Sequence, residues 1–158
     1  MPIMTTRMTG GTTKDGNSVR TLLPDESLHI NGPILEAALT ASDAQQQALI
    51  EQGKQGKSIT GKVMFDTGAS VSCFDISVAQ ETGLAIIGIG RMASASHTSI
   101  QVPVYAGKLI LPKLNINIQP AMGANIASQG IIALIGRDVM RHGAFYYSGV
   151  DGSFSFAV

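Results

Sequence analysis

A carboxylate in a short turn is the group in this sequence best placed for chemistry. Val63 to Phe65 form an apolar run that leads directly into Asp66-Thr67-Gly68-Ala69-Ser70. The run predicts a strand, and the small residues behind Asp66 predict a tight turn that a second backbone can approach closely. A surface turn that is merely capped by Asp66 and Thr67 would contain the same triplet. The triplet alone therefore does not distinguish such a turn from one built for the approach of a second backbone.

A second segment near the C-terminus matches the first. Ile131 to Ile135 is apolar throughout, as in a strand buried on both faces, and Gly136, Arg137 and Asp138 follow it. An apolar strand into Asp-Thr-Gly-Ala, followed later by an apolar strand into Gly-Arg-Asp, resembles the paired motifs of the retropepsin-like aspartic proteases. The resemblance covers roughly residues 32 to 158.

The resemblance implies an all-β, closed β-barrel-like retropepsin fold with one or two short helices. It implies that Asp66 is the catalytic acid, that Thr67 braces the turn of a partner subunit, and that Gly68 borders bound substrate. The residues expected to support the active site are Thr67, Gly68, Ala69, Ser70, Gly136, Arg137 and Asp138.

Arg137 departs from the family pattern in its expected partner. In retroviral members the arginine of the second motif often pairs with an acid just after the catalytic turn, and Ser70 stands there in this chain. Asp138 or a main-chain carbonyl is left as the partner of Arg137.

A single Asp-Thr-Gly implies that two chains form one site. Two carboxylates a few ångströms apart cannot both ionise, so one serves as a base and the other as an acid while they activate a water against a peptide carbonyl. This chain has one such triplet and the length of one lobe. We therefore expect a symmetric homodimer that acts as an aspartic endopeptidase on a peptide or protein substrate, with highest activity in mildly acidic solution. A catalytically weak or inactive relative that binds peptide or protein segments is the alternative.

A substrate-covering hairpin, the flap, is expected from the resemblance within residues 86 to 98. One candidate tip is the glycine-rich turn at Gly88 and Gly90. The other, which we favour, occupies the place where bacterial relatives often carry a Thr-Ala-Asn-Gly-like tip, and consists of Ala93, Ser94, Ala95, Ser96 and His97. An ordinary loop between strands is the alternative to both.

Composition and spacing argue against several other classes of protein. The formal net charge is zero, without the basic cluster of a nucleic-acid binder, and no apolar stretch approaches the roughly 20 residues that span a membrane. His29, His97 and His142 lack metal-ligand spacing, and the third glycine of a dinucleotide-binding loop is missing at Ala93. We expect no metal and no organic cofactor. The lone Cys73 and the lack of a signal-peptide pattern favour a cytoplasmic location, with Cys73 as a buried small hydrophobe rather than a nucleophile.

The elements that position these residues can be outlined along the chain. Residues 1–27 are polar and aperiodic and predict a flexible N-terminal arm, which self-cleavage would remove if it is a precursor segment. The protease-like domain is expected at 28–158, beginning with a strand at 28–31 and containing an inserted helix and connector at 42–57.

Two strand predictions bear on the later argument. Leu114, Ile116 and Ile118 alternate with polar residues and predict a strand that Pro120 ends. The strand at 153–158 has one strongly apolar face at the end of the chain, and we expect it to form much of the dimer interface. A strand that completes its own barrel is the alternative.

Overall fold

A computed structural model describes residues 2–94 and 97–158 and shows a mostly β chain with short helices. The strands, in chain order, are β1 (Ile3–Arg7), β2 (Thr12–Asp15), β3 (Ser18–Thr21), β4 (Ile34–Ala41), β5 (Ser58–Phe65), β6 (Cys73–Asp75), β7 (Ala85–Ser94), β8 (His97–Leu111), β9 (Leu114–Ala124), β10 (Ala133–Ile135), β11 (Ala144–Ser148) and β12 (Ser153–Ala157). The helices are α1 (Pro24–Asn31), α2 (Asp43–Glu51), α3 (Ile76–Thr82) and α4 (Arg137–Met140), with a 3-10 turn at Ala127–Gln129.

Six strands close into a barrel. Hydrogen-bonded neighbours follow the order β4-β5-β10-β6-β9-β8, and β4 pairs again with β8 to complete the ring. Strand β7 pairs with β8 and extends the sheet outside the ring. The predicted all-β, closed β-barrel-like fold is therefore confirmed, and the described residues contain four short α-helices where one or two were predicted.

The central core lies on the inner side of these strands and beneath a separate small sheet. Its largest fully buried side chains include Phe65, Phe74, Tyr105, Phe154 and Phe156. The two C-terminal phenylalanines come from β12, the middle strand of the three-stranded sheet β1-β12-β11. This sheet closes one end of the core, and Phe65 at the end of β5 contacts it.

The N-terminal segment differs from the predicted flexible arm. Strand β1 pairs antiparallel with β12 over its whole length, from Ile3 opposite Ala157 to Arg7 opposite Ser153, and Met4 is buried. Strands β2 and β3 form a hairpin between β1 and α1. Composition did not reveal this pairing because β1 gains its apolar contacts from the other end of the chain. Removal of residues 1–27 would leave one edge of β12 unpaired.

Helix α1 occupies the place where a strand was predicted at 28–31. Pro24 stands in the first turn of α1, where the backbone N–H that proline lacks would have no partner within the helix. The Glu26 carboxylate accepts a hydrogen bond from the Leu23 N–H at 2.9 Å. These start signals outweigh the alternation of Leu28 and Ile30 with polar residues, which misled the strand prediction.

Strand β9 continues beyond Pro120, where the sequence predicted its end. The pairing of β8 with β9 shifts register between Tyr105 and Gly107, and Gln119 and Pro120 lie opposite this shift. A backbone N–H is not needed there for pairing between the strands, so proline is tolerated. The strand consequently reaches Ala124 and lies parallel to β6 beside the site.

Met4 provides a test of whether the N-terminal strand is part of the folded domain. Met4 is 1% exposed, so Met4→Ala is expected to lower the free energy of unfolding by about 3 kcal/mol through lost burial and a residual cavity. The matched control is Ile3→Ala, at a neighbouring residue that is 53% exposed, and it should change the free energy of unfolding by less than about 1 kcal/mol. Urea unfolding monitored by circular dichroism measures both values. Equal, small losses for the two variants would instead support a mobile arm.

Candidate active site

Asp66 lies where β5 leaves the barrel. Its N–H donates to the Ile135 carbonyl at 2.9 Å, which continues the parallel pairing of β5 with β10 by one residue. Its Oδ1 accepts a hydrogen bond from the Gly68 N–H at 2.7 Å, and its carbonyl accepts one from the Ala69 N–H at 3.2 Å. The turn therefore fixes the orientation of a carboxylate that remains partly accessible to solvent.

The second motif packs directly against this turn. Strand β10 lies between β5 and β6, and the chain after it brings the Arg137 N–H to the Ala69 carbonyl at 2.9 Å. A side chain at Gly136 would place its Cβ 2.8 Å from the carbonyl carbon of Val71. The close approach of the two backbones thus requires glycine at this position.

A buried hydrogen-bond network joins Ser72 to Asp138. The fully buried Ser72 hydroxyl donates to Asp138 Oδ1 at 2.8 Å and accepts from the Gly136 N–H at 3.0 Å. The Ser72 N–H donates to Asp138 Oδ2 at 3.0 Å. One serine therefore connects both motifs. The sequence interpretation missed Ser72, although a hydroxyl residue inside the apolar run of residues 71–74 was a usable signal.

Arg137 binds main-chain carbonyls of the turn that follows Asp66. Its Nη1 donates to the Thr67 carbonyl at 2.6 Å and to the Gly68 carbonyl at 3.0 Å. Of the two partners left open by the sequence, the carbonyls are the ones found, and Asp138 binds Ser72 instead. Ser70 is exposed at the surface of the turn.

Arg137 should therefore affect catalysis more than stability. Its side chain is exposed, but its two bonds hold the carbonyls of the consecutive Thr67–Gly68 and Gly68–Ala69 peptides. The sequence predicts Asp66 to be the acid of a peptidase, and small displacements of catalytic groups cost rate steeply, so on that prediction Arg137→Ala is expected to lower kcat/KM for peptide cleavage about 10- to 100-fold. Arg141 is an exposed arginine just beyond α4, and the matched control Arg141→Ala should retain a kcat/KM near that of wild type in steady-state assays. Comparable activity in both variants would argue against this role of Arg137.

A second apolar cluster lines the same side of the sheet as Asp66. Met64 precedes Asp66 by two residues and so points to the same face of β5. It packs in a cluster built around the buried side chains of Cys73, Ala124, Ile126 and Ile131, which Met92, Met122 and Leu134 also contact. Met92 comes from β7, so the β7–β8 hairpin and the neighbours of Asp66 share one apolar surface.

Cys73 has the character of a packing residue. Burial, followed by the negative charges of Asp138 and Asp66, raises the pKa of its thiol to about 11. A thiol with so little thiolate is a poor nucleophile. This agrees with the interpretation of Cys73 as a small buried hydrophobe.

A second buried carboxylate near the site, Asp75, is fully engaged in structure. It caps α3 through the Ser77 and Val78 N–H groups, and its other oxygen accepts from the Ile126 and Ala127 N–H groups at 3.0 and 2.7 Å. Burial alone would raise its pKa, but these bonds and that from the Ser77 hydroxyl outweigh burial, and the pKa lies below its usual value. Asp66 differs from Asp75 in that its side chain is partly exposed, whereas Asp75 is 2% exposed.

The two flap candidates occupy different parts of one hairpin. Gly88 and Gly90 lie within β7 and form no turn, which corrects the first candidate. A Cβ on Gly90 would lie 2.6 Å from the Met122 sulfur, so a larger residue there would require the Met122 side chain to move. In the second candidate, Ala93 and Ser94 end β7, Ser94 pairs with His97 at the start of β8, and Ala95 and Ser96 lie outside the described residues.

Two negative findings apply to the described part of the chain. Residues 2–94 and 97–158 contain no group of three or more His, Cys, Asp or Glu side chains arranged to hold a metal ion. No helix within the same residues is long and apolar enough to cross a membrane.

Comparison with known proteins gives one structural similarity. No family model and no curated protein matches the sequence. Among solved structures, the chain is similar to the crystal structure of a retropepsin-like aspartic protease from Rickettsia conorii, with 13% sequence identity, a TM-score of 0.45, and coverage of 78% of this chain and 90% of that one.

Proposed function

We propose that this chain is one subunit of an aspartic endopeptidase whose active site contains Asp66 from each of two copies. The observation that carries the proposal is the accessible Asp66 carboxylate in a turn held from behind by Gly136, Arg137 and Asp138, as the paired sequence motifs imply. The proposal requires a dimer because the chain contains one Asp-Thr-Gly and one barrel.

The proposed reaction is hydrolysis of a peptide bond by an activated water. Two Asp66 side chains on a two-fold axis share one proton, since both cannot be charged at close range. The charged carboxylate takes a proton from the water as it attacks the peptide carbonyl, and the protonated one donates a hydrogen bond to the developing oxyanion. The proton taken from the water then passes to the amide nitrogen as the C–N bond breaks and the amine leaves. The Gly68 N–H, which donates to Asp66 Oδ1, keeps the carboxylate in one orientation.

The apolar surface beside Asp66 agrees with a peptide substrate that lies extended along the sheet. Met64, Met92, Met122 and Leu134 offer flexible apolar side chains that adapt to different substrate residues. The β7–β8 hairpin, which contributes Met92, is the element proposed to cover the substrate.

A peptide-library digest tests the function. The purified full chain, incubated with a mixed peptide library in mildly acidic buffer, is expected to produce cleavage products by mass spectrometry, and a statine-type transition-state analogue should abolish them. A chain that retains library peptides in a pull-down but yields no products over the same pH range would instead be a peptide-binding module. Cleavage that resists the analogue would contradict an aspartic mechanism.

A further inference from the structure

A cavity of about 470 Å³ lies between the N-terminal segment and the barrel. One wall is formed by residues 6–11, which end β1 and turn after it, and by α1. The opposite wall is formed by the start of β4, by Lys62 of β5 and by residues 129–131. The volume suits a small ligand, and much of the lining comes from the segment whose composition predicted an arm.

Two opposite charges stand side by side on the barrel wall of this cavity. Glu36 and Lys62 are direct partners in the antiparallel pairing of β4 with β5, so their side chains leave the same face of the sheet with Cβ atoms about 5 Å apart. Within the described residues, no ion pair joins them to each other or to a third group. The barrel wall therefore offers both a negative and a positive charge to one ligand.

Arg7 adds a second positive charge from the other wall. Its Nε donates to the Asp151 carbonyl at 3.1 Å, which fixes the guanidinium and leaves the two terminal nitrogens to bind a further acceptor. Paired guanidinium donors match the two oxygens of a carboxylate. The three charges together suit a ligand that brings a carboxylate to Arg7 and Lys62 and an ammonium group to Glu36.

Other groups of the cavity suit the main chain and side chains of a peptide. The Asn31 amide donates to the Ser27 carbonyl at 3.1 Å and to the Ser27 hydroxyl at 3.3 Å, which fixes the amide and leaves its oxygen to accept from an N–H group. Gln129 contributes a second amide, and Ile34 and Ile131 contribute apolar surface. A few polar groups set in an apolar lining are typical of a specific ligand site.

We propose that this cavity binds a short peptide with free termini, with the C-terminal carboxylate at Arg7 and Lys62 and the N-terminal ammonium group at Glu36. Such peptides are also the product class of the proposed hydrolysis. Ile34 and Ile131 belong both to the cavity and to the apolar cluster around Met64, so a released product can reach the cavity along one face of the sheet. The site itself does not depend on catalysis, because none of its residues belongs to the Asp66 turn or supports it.

An NMR titration with trialanine tests the site. The full chain carrying Asp66→Asn is labelled with a nitrogen isotope, so that no cleavage can occur during the measurement. The backbone amide signals of Gly10, Gly11 and Gly130 are expected to shift until they saturate, whereas the signal of Gly53, outside the cavity, should not move. Trialanine that is acetylated at one end and amidated at the other lacks both charges and should bind at least about tenfold more weakly.

Variants show which charge binds which terminus. Lys62→Gln is expected to raise the dissociation constant of trialanine about fivefold and to leave that of trialanine amide, which has no carboxylate, unchanged. Glu36→Gln should weaken trialanine by a similar factor and leave N-acetyl-trialanine, which has no ammonium group, unchanged. The matched controls Lys57→Gln and Glu51→Gln remove the same charges outside the cavity and should not alter the dissociation constants.

The absence of saturable shifts with trialanine would overturn the site. Equal affinity for trialanine and its doubly blocked form, or affinities that Lys62→Gln and Glu36→Gln leave at the level of the controls, would also overturn it. A chain that binds trialanine in this way but cleaves no library peptide would support the site and overturn the proposed function. A chain that cleaves the library but does not bind trialanine would support the function and overturn the site.

Discussion

Asp66→Asn is expected to lower kcat/KM for peptide cleavage by about 10⁴-fold while the protein stays folded. Loss of a group that acts as acid and base removes roughly this factor, and both halves of the proposed site lose it together because each copy supplies the same residue. Asparagine has the shape of aspartate and retains an oxygen that can accept the hydrogen bond from the Gly68 N–H. The turn should therefore persist without the ionisable group.

The assay needs a control for the chemical change alone. Asp25→Asn makes the same substitution in the first turn of α1, in a part of the chain to which no catalytic role is assigned, and should retain wild-type kcat/KM. Thermal unfolding by circular dichroism checks that both variants are folded. Asp66→Asn activity within about tenfold of wild type would be incompatible with a catalytic carboxylate at this position.

Ser72→Ala is expected to produce the largest loss of stability among substitutions in the site. The change leaves the buried Gly136 N–H without its acceptor and removes one donor from the Asp138 carboxylate. An unsatisfied buried donor together with a lost bond to a charged group corresponds to about 3 kcal/mol. For a chain of this length, the melting temperature should fall by about 10 °C.

Ser70→Ala is the matched control for the Ser72 prediction. Ser70 lies two residues earlier in the same turn and is exposed, so its removal should change the free energy of unfolding by less than about 0.5 kcal/mol. Differential scanning calorimetry of the two variants measures the contrast. Equal melting temperatures would show that the Ser72 network does not stabilise the link between the two motifs.

Local signals predicted the centre of the molecule. The apolar run before Asp66 became the end of β5, and the run before Gly136 became β10, because a short apolar run bounded by turn residues is recognisable as a strand from composition. Helix α3 also follows its local signals, with Asp75 at the N-cap and Gly83 in the left-handed region at φ 75°. In each case the residues that determine the element lie within or next to it.

The features that the sequence did not reveal depend on distant partners. Strand β1 exists because it pairs with β12 at the other end of the chain, so polar composition alone predicted an arm. Ser72 becomes important only when β10 brings Gly136 and Asp138 beside it. Pro120 remains within a strand because β8 shifts register opposite it. These contacts follow from topology, which composition and periodicity leave undetermined.

The strand at 153–158 also has partners that its composition does not reveal, and its predicted place in a dimer interface stays a prediction. The apolar alternation of β12 indicates a strand that needs partners, but both partners, β1 and β11, come from the same chain. The outer strands of this small sheet are β1 and β11, and the tyrosines of β11 resemble an ordinary hairpin in the sequence. Only the strand order distinguishes an internal strand from an edge.

The central claim, that two Asp66 carboxylates form one active site, is tested most directly by mixing wild type with Asp66→Asn. After the subunits have exchanged at fixed total concentration, equal parts of the two proteins should give about one quarter of the wild-type rate, because only wild-type homodimers contain both carboxylates. A rate of about one half, linear in the wild-type fraction, would show that each chain acts alone and would contradict the shared site.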